Sequence, residues 1–205
     1  MVRQSYKDHK INTLKNHCTY TLKTDGKPRF LRAMNVPFAL RKKVEKELEC
    51  LEQNGIIQPV QHSEWATPIV PVMKENGDFR ICGDSKVTVN QAMIIDTCSY
   101  PLPRIDDLLA SLAGGQAFSK VDLAHAYMQI QLEEEAKPLT TINTHRGLYQ
   151  YNRLPYGVSS APVIFQRTME AILQGLPKVF VYIDDILVTR QTEAEHLKNL
   201  DEVLG

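Results

Sequence analysis

The chain has 205 residues and a mass of 23.3 kDa; 43% of the residues are hydrophobic and 23% charged, enough for one core or two intimate lobes, which excludes a multi-domain machine and a disordered chain. No run approaches the ~18 apolar residues of a membrane span, and Met1 is followed by the polar MVRQSYKDHK, so the expected protein is intracellular (cytoplasmic or nuclear), not secreted, and without a membrane partner. Charge balances at 24 basic and 24 acidic residues, yet residues 1–60 hold 12 basic against 6 acidic, a front that suits a polyanion or is simply a solvated surface.

Cys18, Cys50, Cys82 and Cys98 form no CxxC pair, which argues against a zinc site or a disulfide framework. Residues 1–35 suggest a strand and an Asp25-Gly26 turn and read as an N-terminal extension; 36–205 read as one folded domain. From Pro37 onward, Phe38, Val44, Leu48 and Leu51 recur at helical spacing, and Asn54-Gly55 supplies a stop. The strand IIQPV follows, then the apolar IVPVM, with Asn76-Gly77 turning it into DFRICG as a hairpin.

PLPR at 101–104 opens a helix whose face is Ile105, Leu108, Leu109 and Leu112, closed by Gly114-Gly115. AFSKVDL and MQIQL read as strands on either side of a short connection, and TTINT and LYQY flank a hairpin at His145-Arg146-Gly147. Ser159, Ser160 and Pro162 start a helix with Phe165, Met169 and Ile172 on its buried face, ended by Gly175. VFVYI and ILVT are β-rich runs joined by Asp184-Asp185, and Thr192 with Glu195 forms a capping box for a last helix. Hairpins outnumber regular βαβ units, so the expected class is α+β with an antiparallel sheet and packed helices.

Asp184 and Asp185 sit between two hydrophobic strands, where an Asp-Asp pair is most simply a polar turn. Neither residue is the Gly or Asn that tight hairpins prefer, and Asp122 ends a β-rich run of its own. Three carboxylates converging at strand ends would be hard oxygen ligands suited to Mg²⁺. Two such ions about 3.5–4 Å apart would activate a hydroxyl and neutralise a leaving group in phosphoryl transfer.

Tyr182-Ile183-Asp184-Asp185 resembles the YxDD motif of reverse transcriptases. The surrounding text resembles the Ty3/Gypsy type of long-terminal-repeat retrotransposons: GIIQPV, SEWATPIVPV, RICGD, YPLPRIDDLLASLAGG, FSKVDLAHAY, INTHRGLYQYNRLPYGVSSAPVIFQRTMEAILQG and VYIDDILVT. The likeness covers about residues 36–205 and implies right-hand polymerase-like fingers and palm. It implies Asp122 and Asp184 as the principal ligands of two Mg²⁺ ions, Mn²⁺ being able to substitute, with Asp185 as third acid and the Leu123 carbonyl completing the shell.

Tyr127 resembles the gate that excludes a ribose 2′-OH, Ala126 lines the nucleotide site beside it, and Lys74 and Arg80 resemble fingers residues that clamp a triphosphate. Tyr156 and Gly157 resemble the floor of the nucleotide pocket; Trp65, Pro68, Pro162 and Tyr182 are expected near template and primer, with a core role the plainer reading of Trp65. Ser85-Lys86, Ala124-His125-Ala126 and Met128 depart from the family's usual residues, but every acid is in place. The implied activity is RNA-directed DNA polymerisation, with an RNA or DNA template, a primer and dNTP as partners and the thumb and RNase H segments of a longer polyprotein missing. A truncated inert remnant or a co-opted nucleic-acid-binding module is the alternative.

Overall fold

The computed structural model describes residues 19–20, 24, 26–73, 79–92, 102–123 and 125–204. In chain order the elements are β1 (Thr19–Tyr20), α1 (Phe38–Gln53), β2 (Ile57–Val60), β3 (Thr67–Met73), β4 (Phe79–Gly83), α2 (Val89–Ala92), α3 (Ile105–Leu112) and β5 (Ala117–Asp122). They continue with β6 (Gln131–Leu132), β7 (Ile142–Thr144), β8 (Gly147–Tyr151), α4 (Ala161–Ile172), β9 (Val179–Tyr182), β10 (Asp185–Arg190) and α5 (Glu193–Leu204). No helix among the described residues is long and apolar enough to cross a membrane. The class is α+β, as expected from the run of hairpins.

Two compact units share the chain. One holds the described residues of 97–126 and 162–205, the other those of 19–96 and 127–161. The first is built on the antiparallel sheet β5-β10-β9. Its strands form where β-branched residues alternate: Val121, Val181, Ile186 and Val188 are buried. Helix α4 buries Ile164, Phe165 and Met169, each contributing about 1.5–3 kcal/mol. Helix α5 packs on β10 and β5, and the Thr192 hydroxyl accepts from the Glu195 N–H at 3.4 Å, one half of the expected capping box. In α3 only Leu108 is buried, while Ile105 and Leu109 face outward. Apolar periodicity located that helix but not a cover for its stripe.

The second unit is the five-stranded sheet β2-β8-β7-β3-β4, antiparallel except where β3 runs parallel to β7. Helix α1 packs on β2 and β4 through Val44, Leu48 and Leu51; Phe38, expected on that face, lies in the first turn and is 87% exposed. Met73 pairs with Phe79, so β3 and β4 form the expected hairpin pair, although the Asn76-Gly77 turn falls outside the described residues. The MQIQL run is not one strand: 126–129 form a 3₁₀ turn, and pairing is confined to Gln131 and Leu132. Residues 29–31 run beside the start of β3. Leu31 N–H donates to Ala66 O and Ala66 N–H to Arg29 O, both at 2.9 Å, which ties this segment to the strand that follows Ala66.

Candidate active site

Strand β10 lies between β5 and β9, and its register fixes the acids. Asp185 pairs with Asp122 on one side and with Tyr182 on the other. The connection between β9 and β10 is therefore the two residues Ile183 and Asp184, not the Asp184-Asp185 pair the sequence suggested. Ile183 has φ +55°, the left-handed value that a II′ turn reserves for its first central residue and normally gives to glycine. Asp122 and Asp184 are exposed; Asp185 and Tyr182 are half-buried.

A cation already sits among these charges. Lys120, two residues before Asp122 and hence on the same face of β5, places Nζ 2.7 Å from Asp185 Oδ2. The hydrogen bond to Asp185 raises the Lys120 ammonium above its ordinary pKa against a desolvation penalty, and the charges of Asp185, Asp122 and Asp184 add to the rise. Among the described residues, no three Asp, Glu, His or Cys side chains close into a ready metal cage. Mg²⁺ needs only one or two protein carboxylates and completes its shell with water and substrate phosphates. The donor set is of the right kind: hard oxygens at the end of a sheet, in a field strong enough to hold an ammonium.

Two further side chains, neither assigned a role in the site from the sequence, shape this turn. Gln166, fully buried in α4, accepts the Ile183 N–H and donates to Val181 O. Its signal was a polar residue at helical spacing beside Phe165 and Met169; for Lys120 it was the Lys-x-Asp alternation of a strand. Leu123 and Ala126, expected at the metal shell and the nucleotide site, are both buried in this unit, and Pro162 occupies the first turn of α4, where its missing N–H costs nothing.

The five-stranded unit gathers a different set. The Arg80 guanidinium lies 4.6 Å from the centre of the Tyr156 ring, and Tyr156 in turn packs against Tyr127 with ring centres 5.1 Å apart and planes tilted 46°. Clamp, floor and gate, expected from three distant motifs, thus form one stack. Gly157, at φ +98°, comes so close to the Gly83 carbonyl that a Cβ would stand 3.0 Å from it. Asn90, not expected from the sequence, fixes this loop by donating to Gly157 O at 2.7 Å and accepting the Ser159 N–H at 2.9 Å. Trp65 and Pro68, expected near template and primer, are both buried. Lys74 lies outside the described residues.

A family model described as reverse transcriptase (RNA-dependent DNA polymerase) matches residues 72–205. The chain belongs to the reverse transcriptase family. It is 39% identical over 185 residues to the retrovirus-related Pol polyprotein from transposon opus of Drosophila melanogaster, covering 87% of this chain and 18% of that one. Against the transposon gypsy Pol polyprotein of the same fly, identity is 31% over 194 residues, covering 91% and 18%. These relatives mark the domain as Ty3/Gypsy-type, and it spans only 15–18% of the length of the first curated relatives it matches.

In fold it is similar to the protease-reverse transcriptase of prototype foamy virus, with TM-score 0.83, 24% identity and coverage of 92% of this chain and 25% of that one. A foamy viral protease-reverse transcriptase solved with an RNA/DNA hybrid gives TM-score 0.81 at 23% identity, with the same coverage. The fold is thus that of the fingers and palm expected for the reverse transcriptase domain. Reverse transcriptases as a family use divalent metal ions.

Proposed function

We propose that this domain is the catalytic core of an RNA-directed DNA polymerase, joining a dNTP to the 3′-OH of a primer paired to an RNA or DNA template. The observation that carries the reading is the register of Asp185 opposite Asp122, with Asp184 in the turn beside them. Asp122 and Asp184 would hold two Mg²⁺ or Mn²⁺ ions, with Asp185 as third acid and the Leu123 carbonyl as a further ligand. When bound, the ions supply Lewis acidity at the attacking hydroxyl and at the leaving pyrophosphate.

The chain's own residues do the rest by placement. The 3′-OH attacks the α-phosphate and pyrophosphate leaves, so charge accumulates on oxygens that side chains must orient. Arg80, with its planar fork of donors, suits the triphosphate. Lys74 is assigned the same task from its motif. Tyr127 is assigned as the sugar gate and Ala126 to nucleotide binding, and Tyr156 and Gly157 are assigned as a floor that backbone can approach closely. Tyr182 and Pro162 are assigned to the primer side. Binding to the nucleic acid rests on its backbone charge and weakens with salt.

The test is primer extension on an RNA template at low salt with Mg²⁺ or Mn²⁺, comparing the chain with Asp184→Asn. Incorporation that disappears in the variant is expected; equal incorporation in both would overturn the metal assignment. A nucleic-acid-binding module without catalysis is favoured by one feature, the Lys120 ion pair that neutralises Asp185. Hybrid binding with no incorporation by either chain would support it.

A further inference from the structure

Gln166 is 0% exposed on α4, and its carboxamide spans the turn that carries the acids. Nε2 donates to Val181 O at 2.9 Å, Oε1 accepts the Ile183 N–H at 2.7 Å, and the second Nε2 proton goes to Glu170 Oε1 at 2.5 Å. The network itself decides the orientation of the amide. Flipped, it would set oxygen against the Val181 carbonyl and NH₂ against the Ile183 N–H.

The backbone it grips is one the sequence disfavours. Ile183 is β-branched at φ +55°, a conformation strained for such a residue that persists only where surroundings impose it. Glycine or asparagine would reach it freely; isoleucine needs a holder.

We propose that Gln166 is a positioning residue for the acidic turn: by bonding the peptide groups on either side of Tyr182, it holds Ile183 left-handed and so fixes where Asp184 and Asp185 leave the β9–β10 hairpin. Ion-binding carboxylates must be held to within roughly 0.5 Å, a demand that a strained exposed turn does not meet alone. The inference rests on the reading that these acids bind divalent ions. The observed bonds reach the turn from a different element, α4, in which Phe165 and Met169 on either side of Gln166 are fully buried.

The experiment uses the whole 205-residue chain, ¹⁵N-labelled, with amide hydrogen exchange read by NMR and Mn²⁺ binding read by EPR. Gln166→Leu should speed exchange at Ile183 about tenfold, the size of one lost buried hydrogen bond, while β5–β10 ladder amides keep their rates. Mn²⁺ affinity should fall several-fold by the same argument about geometry. Adding Ile183→Gly to Gln166→Leu should restore Mn²⁺ binding, because glycine takes the left-handed turn unaided. Where Gln166→Leu does not fold, Gln166→Glu with Glu170→Gln keeps an acceptor for Ile183 and should keep its protection.

Unchanged Ile183 exchange in Gln166→Leu would overturn the proposal. So would a uniform loosening of β9 and β10 that Ile183→Gly does not repair, since a mere helix-to-strand staple behaves that way. A wild-type chain that binds no Mn²⁺ retires the metal reading instead, while the exchange result at Ile183 still decides whether Gln166 holds the turn.

Discussion

Asp185, the first residue of β10, stands directly opposite Asp122, the last residue of β5, and Lys120 bonds the former at 2.7 Å. Like charges at directly opposed positions destabilise a sheet, and the ammonium offsets this where no other cation is present. Lys120→Ala should therefore cost the metal-free chain about 0–1 kcal/mol, the range of an exposed ion pair, because the lysine side chain is 58% exposed. With Mn²⁺ the variant should gain more stability than wild type, since the ion no longer competes with lysine for Asp185. Thermal unfolding of both chains with and without Mn²⁺ checks this; equal gains would show that Lys120 and the ion do not share the carboxylate.

The stack of Arg80, Tyr156 and Tyr127 gives the nucleotide assignments a common physical basis. An aromatic pair is worth about 0.5–1.5 kcal/mol beyond area burial, and a cation over a ring about 0.5–2 kcal/mol. On the polymerase reading, Tyr127→Ala should raise rNTP incorporation relative to dNTP, and Tyr127→Phe should keep wild-type selection because the ring, not the hydroxyl, meets the 2′-OH. The ratio of kcat/KM for the two nucleotides in primer extension measures it. Undiminished exclusion of rNTP by Tyr127→Ala would remove the gate.

Much of this arrangement was legible because it rests on local pattern. The β-branched runs on both sides of Asp184 announced the β9–β10 hairpin, and Asn54-Gly55 marked the end of α1. Other features depend on partners that no periodicity names. Ala126, Met128, Ile130 and Leu132 are all buried, in the alternation a strand would show. Their backbone nonetheless bonds locally, as in Ile130 N–H to Tyr127 O, and not along a strand. Phe38 and Ile105 fit apolar stripes whose outer turns meet no core among the described residues. The turn position of Ile183 was hidden for the opposite reason: its local preference opposes the conformation, and Gln166, seventeen residues earlier, overrides it.

Tyr151 offers a test in the five-stranded unit, apart from the acids. Its ring is buried, and its hydroxyl has no hydrogen-bond partner among the described residues. An unpaired buried hydroxyl lowers stability relative to an apolar group of the same shape, so Tyr151→Phe should be neutral or more stable by up to about 1 kcal/mol. Burial, with smaller effects from Cys82 and Glu47, pushes the phenol pKa up. Above pH ~10 the unfolded chain releases this proton and the folded chain keeps it, so wild-type stability falls there as pH rises. Denaturant midpoints measured across that range should decline less steeply in the variant; parallel curves would mean that Tyr151 does ionise in place.

His196 makes the complementary prediction on the acid side. It is buried on α5, its Nε2 lies 2.8 Å from Ser119 Oγ on β5, and its Nδ1 is buried without a partner among the described residues. Burial lowers its pKa, with Glu193 pulling the other way. Falling pH therefore lets the unfolded histidine take up a proton near its ordinary value of about 6.5, while the folded one stays neutral to lower pH. Stability should be full above that value and decline as pH drops through the window down to the folded pKa. His196→Gln, which can still reach Ser119 but does not titrate, should lose part of this dependence. Denaturant midpoints of both chains at neutral and mildly acidic pH decide the matter: if both fall equally, the acid sensitivity arises from other groups and His196 is already charged in the fold.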